Sequence, residues 1–134
     1  MSQENVDIVK RGSAALNSGD VDAALEAFAA DATLRDLASG PDQPTVVEGI
    51  ESIRQVWALW LEAFDELRAD IRDFIEAGDA VICAVHWYGR GKMSGMNIDV
   101  DQFDVYEIAD GAVVRATLGY KSRTEALDAA GLRE

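Results

Sequence analysis

Cysteine, histidine and proline are almost missing from this 134-residue chain, which has one cysteine, one histidine and two prolines. The lone Cys83 excludes an internal disulfide, and its place in the apolar run 80–85 reads as a buried structural thiol. The lone His86 excludes a zinc site built on several histidines and leaves a serine-hydrolase triad a single choice of base. Its flanks, Val85 and Trp87, make it a strand histidine at a core or interface position. Basic residues are scarce as well: 12 Lys and Arg stand against 25 Asp and Glu, for a formal charge of −13. Such a chain repels phosphate backbones and anionic lipid surfaces, so nucleic acid and membrane are not expected partners. No apolar run approaches membrane-spanning length, and the first residues have neither the basic nor the apolar region of a secretory signal. The cytoplasm is the expected address. A phosphate-binding glycine loop is also missing, because Gly89-Arg90-Gly91 neither follows a Rossmann-type strand nor opens a helix. Neither a metal nor a cofactor is expected.

What is present is a hydrophobic share of 49%, enough for one globular core. The length predicts a single domain, 1–134. Apolar residues at Val6, Val9 and Leu16 predict a helix over 3–17 with Gly12 and Ser13 at or near its buried stripe. Asp20 caps a second, short helix with Val21, Ala24, Leu25 and Phe28 on its inner face. A strand is expected over 31–37, with Ala32, Leu34 and Asp36 on one face. A Gly/Pro-rich loop at 39–44 reads as a flap beside that strand. Ile50, Ile53, Val56, Trp57, Trp60, Leu61 and Phe64 form one apolar face of a third helix. A strand from Leu67 follows, with a bulge near Asp73, then a turn at Gly78-Asp79 into 80–92, where glycines at 89, 91 and 95 permit a bend. Finally, Ser122-Arg123-Thr124-Glu125 has capping-box spacing and opens a short helix that Gly131 ends. Two helices, strand, helix, four strands and helix make an α+β fold, with helices packed on one face of a curved antiparallel sheet.

Residues 97–120 organise the rest. Asp110-Gly111 accepts the positive φ angles of a two-residue hairpin turn, joining two long strands. Before the turn, one face carries Ile98, Val100, Gln102, Asp104, Tyr106 and Ile108, and the other Asp99, Asp101, Phe103, Val105 and Glu107. Neither face is cleanly polar. A strand with apolar groups on both faces is covered on both, which places carboxylates where water is scarce.

The stretches 14–20 (Ala-Ala-Leu-Asn-Ser-Gly-Asp) and 28–36 (Phe-Ala-Ala-Asp-Ala-Thr-Leu-Arg-Asp), with the Asp-Gly hairpin and Val113-Val114-Arg115, resemble the SnoaL-like branch of the nuclear transport factor 2-like superfamily. That branch includes ketosteroid isomerases and polyketide cyclases. The resemblance implies a cone-shaped half barrel whose helices close an apolar cavity, commonly in a homodimer. In the isomerases one carboxylate abstracts a proton beside a ketone, while a tyrosine and a protonated aspartic acid hold the dienolate oxygen. Asp36 matches the base. The tyrosine position corresponds to Gly12, and the neighbouring position, aromatic in many relatives, is Ser13. The acid aligns with Asp99 or Asp101 by local sequence, and with Phe103 when counted back from the turn. Tyr88 or Tyr106 offers a phenol from the sheet instead. Without an aromatic on the first helix, the cavity is either open there or filled by Trp57, Trp60 or Phe103. The open form is favoured. Arg35 points away from Asp36, which disfavours an arginine-bridged carboxylate pair holding water.

The leading expectation is a protein that binds a small apolar, neutral or carbonyl-bearing molecule, with Asp36 accepting a proton in an isomerisation, cyclisation or hydration. The alternative is a non-catalytic binding or interaction domain. A homodimer is expected, because residues 80–88 are apolar on both faces and a helix layer covers only one.

Overall fold

The computed structural model describes residues 2–37, 45–93 and 97–131. In chain order the elements are α1 (Ser2–Asn17), α2 (Val21–Leu25), β1 (Phe28–Asp36), β2 (Thr45–Glu48) and α3 (Ile50–Ala63). Then come β3 (Phe64–Ala77), β4 (Ala80–Gly91), β5 (Ile98–Ala109), β6 (Ala112–Tyr120) and α4 (Arg123–Ala129). The strands form one curved sheet in the order β2-β1-β6-β5-β4-β3, antiparallel except where β1 lies parallel to β6. The expected flap at 39–44 and the glycine at 95 lie outside the described residues.

Local signals place most of these elements. Asp20 accepts a hydrogen bond from the Ala23 amide and caps α2, and Ser122 does the same for α4 through the Glu125 amide. Asp110 and Gly111 both take positive φ angles, 52° and 77°, which match the right-handed twist of β5 and β6. The pairing of β3 with β4 slips between Ile71 and Asp73, at the expected bulge. Helix α3 has no connecting loop after it: Phe64 is already extended, so the apolar helix face runs straight into β3.

Two departures trace to long-range pairing. Phe28, expected on the second helix, starts β1, because it pairs with Val113 and the Val113 amide donates to Ala27 O. Strand β2, absent from the expected order, is four residues at the sheet edge, paired only to β1, with Val46 half exposed. Phe28 carries no strand signal of its own, and the β-branched run Thr45-Val46-Val47 is too short to announce one.

Helices α1, α2 and α3 pack on one face of the sheet around Val81, Cys83, Val85 and Trp87 of β4. The alternate residues of that strand face the other way, and there α4 buries Ala80 and Ile82 with Val105. The helix layer is therefore not confined to one face, and α4 already covers part of the surface from which a partner was argued. Helix α1 is fixed to β3 by a pairing no periodicity reveals. The Asn17 side chain accepts from the Ala69 amide at 2.8 Å and donates to Ala69 O at 3.0 Å, while Ser13 Oγ donates to the same carbonyl at 3.3 Å.

Candidate functional site

The space between the helices and the sheet divides into two chambers. The outer one, about 250 Å³, is lined by Asp36, Trp60, Phe64, Leu67, Trp87, Ile98, Val100, Gln102 and Leu118. The inner one, about 30 Å³, lies deeper, among residues that include Gly12, Ser13, Phe28, Trp57, Asp104 and Tyr106. Trp87 and Leu118 form part of both walls. A space of the inner chamber's size holds a water or a single small group, not a drug-sized ligand.

Strand β5 decides which polar groups reach these chambers. Its alternation turns Val100, Gln102, Asp104 and Tyr106 towards them. The other face carries Asp99, Asp101, Phe103 and Val105 away. The two acids expected in the cavity are thus outside it: Asp99 and Asp101 grip His86, with Nε2 to Asp99 at 2.8 Å and Nδ1 to Asp101 at 2.7 Å. Phe103 also faces outward, beside the α4 cluster, and Tyr88 shares the outward face of β4 with His86. The carboxylate that β5 turns into the cavity is Asp104, a residue the resemblance did not point to. The signal for it was already in the alternation, since Asp104 shares a face with Ile98, Val100, Tyr106 and Ile108.

Asp104 is fully buried and holds three neutral donors. Trp87 Nε1 donates to Oδ2 at 3.0 Å, while Gln102 Nε2 and the Gly119 amide donate to Oδ1 at 2.8 Å and 3.0 Å. The Gly119 contact depends on a bulge. Phe103 pairs with Tyr120 and Asp104 with Leu118, so Gly119 is the extra residue, and its φ of 107° turns its N–H towards the carboxylate. Burial pushes the Asp104 pKa from 3.8 up to about 6; the three hydrogen bonds oppose that rise and the charge of Asp36 adds to it. Burial, then the charge of Asp104, also pushes the Tyr106 phenol up. Burial and Asp104 likewise push the Cys83 thiol up, so it stays protonated and is no nucleophile.

Asp36 ends β1 at the wall of the outer chamber, as its strand parity required. Trp60 lines the same chamber, whereas Trp57 packs edge-to-face on Phe28 at 5.4 Å in the inner one. Trp57 Nε1 is buried without a hydrogen-bond partner among the described residues. The open pocket favoured at Gly12 and Ser13 is reduced to the small inner chamber. Of the candidates to fill it, Trp57 is there, joined by Tyr106 and Trp87, while Trp60 and Phe103 are elsewhere. No lysine, arginine or histidine lines either chamber among the described residues, and no cluster there has the donor set for a metal.

Comparisons with solved structures find the same fold. A protein with a ketosteroid isomerase-like fold from Catenulispora acidiphila, in complex with trimethylamine, is 24% identical with a TM-score of 0.75, covering 94% of this chain and 93% of its own. A polyketide cyclase candidate from Sinorhizobium meliloti is 24% identical with a TM-score of 0.69, covering 83% and 92%. TerC, co-crystallised with polyporic acid, is 18% identical with a TM-score of 0.71, covering 85% and 88%. These identities establish the fold alone. No curated protein matches the chain significantly. The SnoaL-like domain family matches residues 9–116, most of the chain and all of the sheet but the C-terminal end of β6, and the chain belongs to that family.

Proposed function

We propose that the chain binds a small, largely apolar molecule in the outer chamber and moves a proton at Asp36 during an isomerisation, cyclisation or hydration. The observation that carries this reading is a carboxylate set in the wall of a chamber that is apolar but for Gln102, beside Trp60, Phe64 and Trp87. Asp104 is its natural second carboxyl. A pKa of about 6 lets it be taken as acid or base near neutrality, which suits proton transfer better than an ordinary carboxylate does. The solved relatives with trimethylamine and polyporic acid support small-molecule binding in this fold.

A second reading, binding without turnover, is favoured by the hydrogen bonds to Asp104. All three partners are donors, so they stabilise the ionised acceptor rather than a protonated oxyanion donor. The two readings separate in a thermal-shift ligand screen whose hits are assayed for turnover. The catalytic reading expects Asp36→Asn to cost at least about a hundredfold in rate. Turnover that survives Asp36→Asn would sink it, and ligand binding with no turnover in either protein establishes the second reading. The protein is further proposed to work as a cytoplasmic homodimer, paired through the part of the outward sheet face left by α4, around Ala84, His86, Tyr88 and Phe103.

A further inference from the structure

The polar groups of the outer chamber face its interior unequally. Its formal charge, among the described lining residues, is the carboxylate of Asp36. Two donors of its wall are directed away from it: the Trp87 N–H and a Gln102 N–H are both given to Asp104. Behind that wall lies a second carboxylate with no cationic partner among the described residues, and it feels the charge of Asp36. Three aromatic side chains, Trp60, Phe64 and Trp87, make up much of the remaining surface. Aromatic faces with a nearby carboxylate attract an alkylated ammonium, which is weakly hydrated and gains from both. The chain's charge of −13 raises the local concentration of cations further. An anionic ligand, by contrast, would meet the Asp36 carboxylate and, among the described residues, no basic side chain.

Resting on the reading of the outer chamber as the ligand site, we propose that it takes a small organic cation. The ligand is an alkyl-substituted amine whose charged nitrogen faces Asp36 and whose alkyl groups lie on Trp60, Phe64 and Trp87. The experiment uses two probes of equal shape, choline and its uncharged isostere 3,3-dimethylbutan-1-ol, titrated calorimetrically into the wild type, Asp36→Asn and Trp60→Leu. Circular dichroism confirms that each variant is folded. Choline is expected to bind about tenfold more tightly than the alcohol, with the preference reduced to under about threefold in Asp36→Asn and weakened in Trp60→Leu. Equal affinity for both probes overturns the charge assignment and leaves the chamber a site for neutral molecules. Binding of neither probe overturns the chamber as a ligand site together with the inference built on it. A preference for choline that is unchanged in both variants overturns the proposal too, because it places the cation on the acidic surface.

Discussion

Asp101 and Asp104 stand three residues apart on β5, and the sheet separates them. Asp101 is 83% exposed and pairs at 2.7 Å with His86, a partner that can carry the opposite charge. Asp104 is 0% exposed and has three neutral donors but no cation. Water screens the first carboxylate, so its ion pair contributes little. The second has exchanged water for a fixed set of dipoles, and its proton affinity rises accordingly. The lesson is that identical side chains on one strand differ in cost by the face they occupy, and that the costly one lies in the cavity.

The sharpest way to break this comparison is to remove each carboxylate in turn. Asp104→Ala leaves three donors unpaired, among them the buried Trp87 N–H, and is expected to lower unfolding free energy by about 3–5 kcal/mol at pH 4–5. The loss depends on pH. Because the folded pKa, about 6, lies above the unfolded 3.8, folding binds a proton between these values. The stability Asp104 contributes is therefore fully present below about pH 4 and is lost as pH rises through 6. A rise of 2.2 units, from 3.8 to about 6, corresponds to about 3 kcal/mol. The gap between wild type and Asp104→Ala in urea titrations should shrink by about that amount from pH 4 to pH 7. A gap independent of pH would show that Asp104 is not the titrating group.

Next in size is Ser13→Phe, which tests the inner chamber itself. With about 30 Å³ free and Ser13 Oγ bonded to Ala69 O, a phenyl ring overpacks the site and is expected to cost about 1–3 kcal/mol. A raised melting temperature would mean that the chamber is larger than its walls indicate. The smallest effect is expected at the exposed carboxylate. Asp101→Asn should change the stability of the monomer by about 0–1 kcal/mol in the same titrations. In sedimentation it should nonetheless shift a monomer–dimer equilibrium, because Asp101 borders the outward face proposed to pair. Monomer alone at micromolar concentration, for wild type and variant, would remove the homodimer.

Much of this was readable in advance. The helix face from Ile50 to Leu61, the Asp110-Gly111 turn, the bulge near Asp73 and the two helix caps are local, and periodicity or turn chemistry displays them, whereas Phe64, expected on that helix face, opens β3. Asp36 was readable too, since strand parity placed it with Ala32 and Leu34. The acid in the cavity was misplaced because an ungapped or locally matched alignment gives a position along the strand without giving its face. Asp99, Asp101 and Phe103 are all of odd number and all point outward. Phe28 in β1 and the whole of β2 were hidden for another reason: each exists through pairing with a distant strand, and neither has a period long enough to announce it.

The sequence by itself determined most of the element types, the strand alternation and the acidic character, with a single histidine that is too few for a multi-histidine metal site. These follow from residue spacing and charge, which need no neighbours distant in the chain. Only the tertiary structure decided that Asp104 is the buried carboxylate and that Trp57 and Tyr106 narrow the inner chamber. It also decided that α4 crosses to the other face of the sheet. Each of these depends on which side of the sheet the helices cover, and that is settled by packing among residues far apart in the chain.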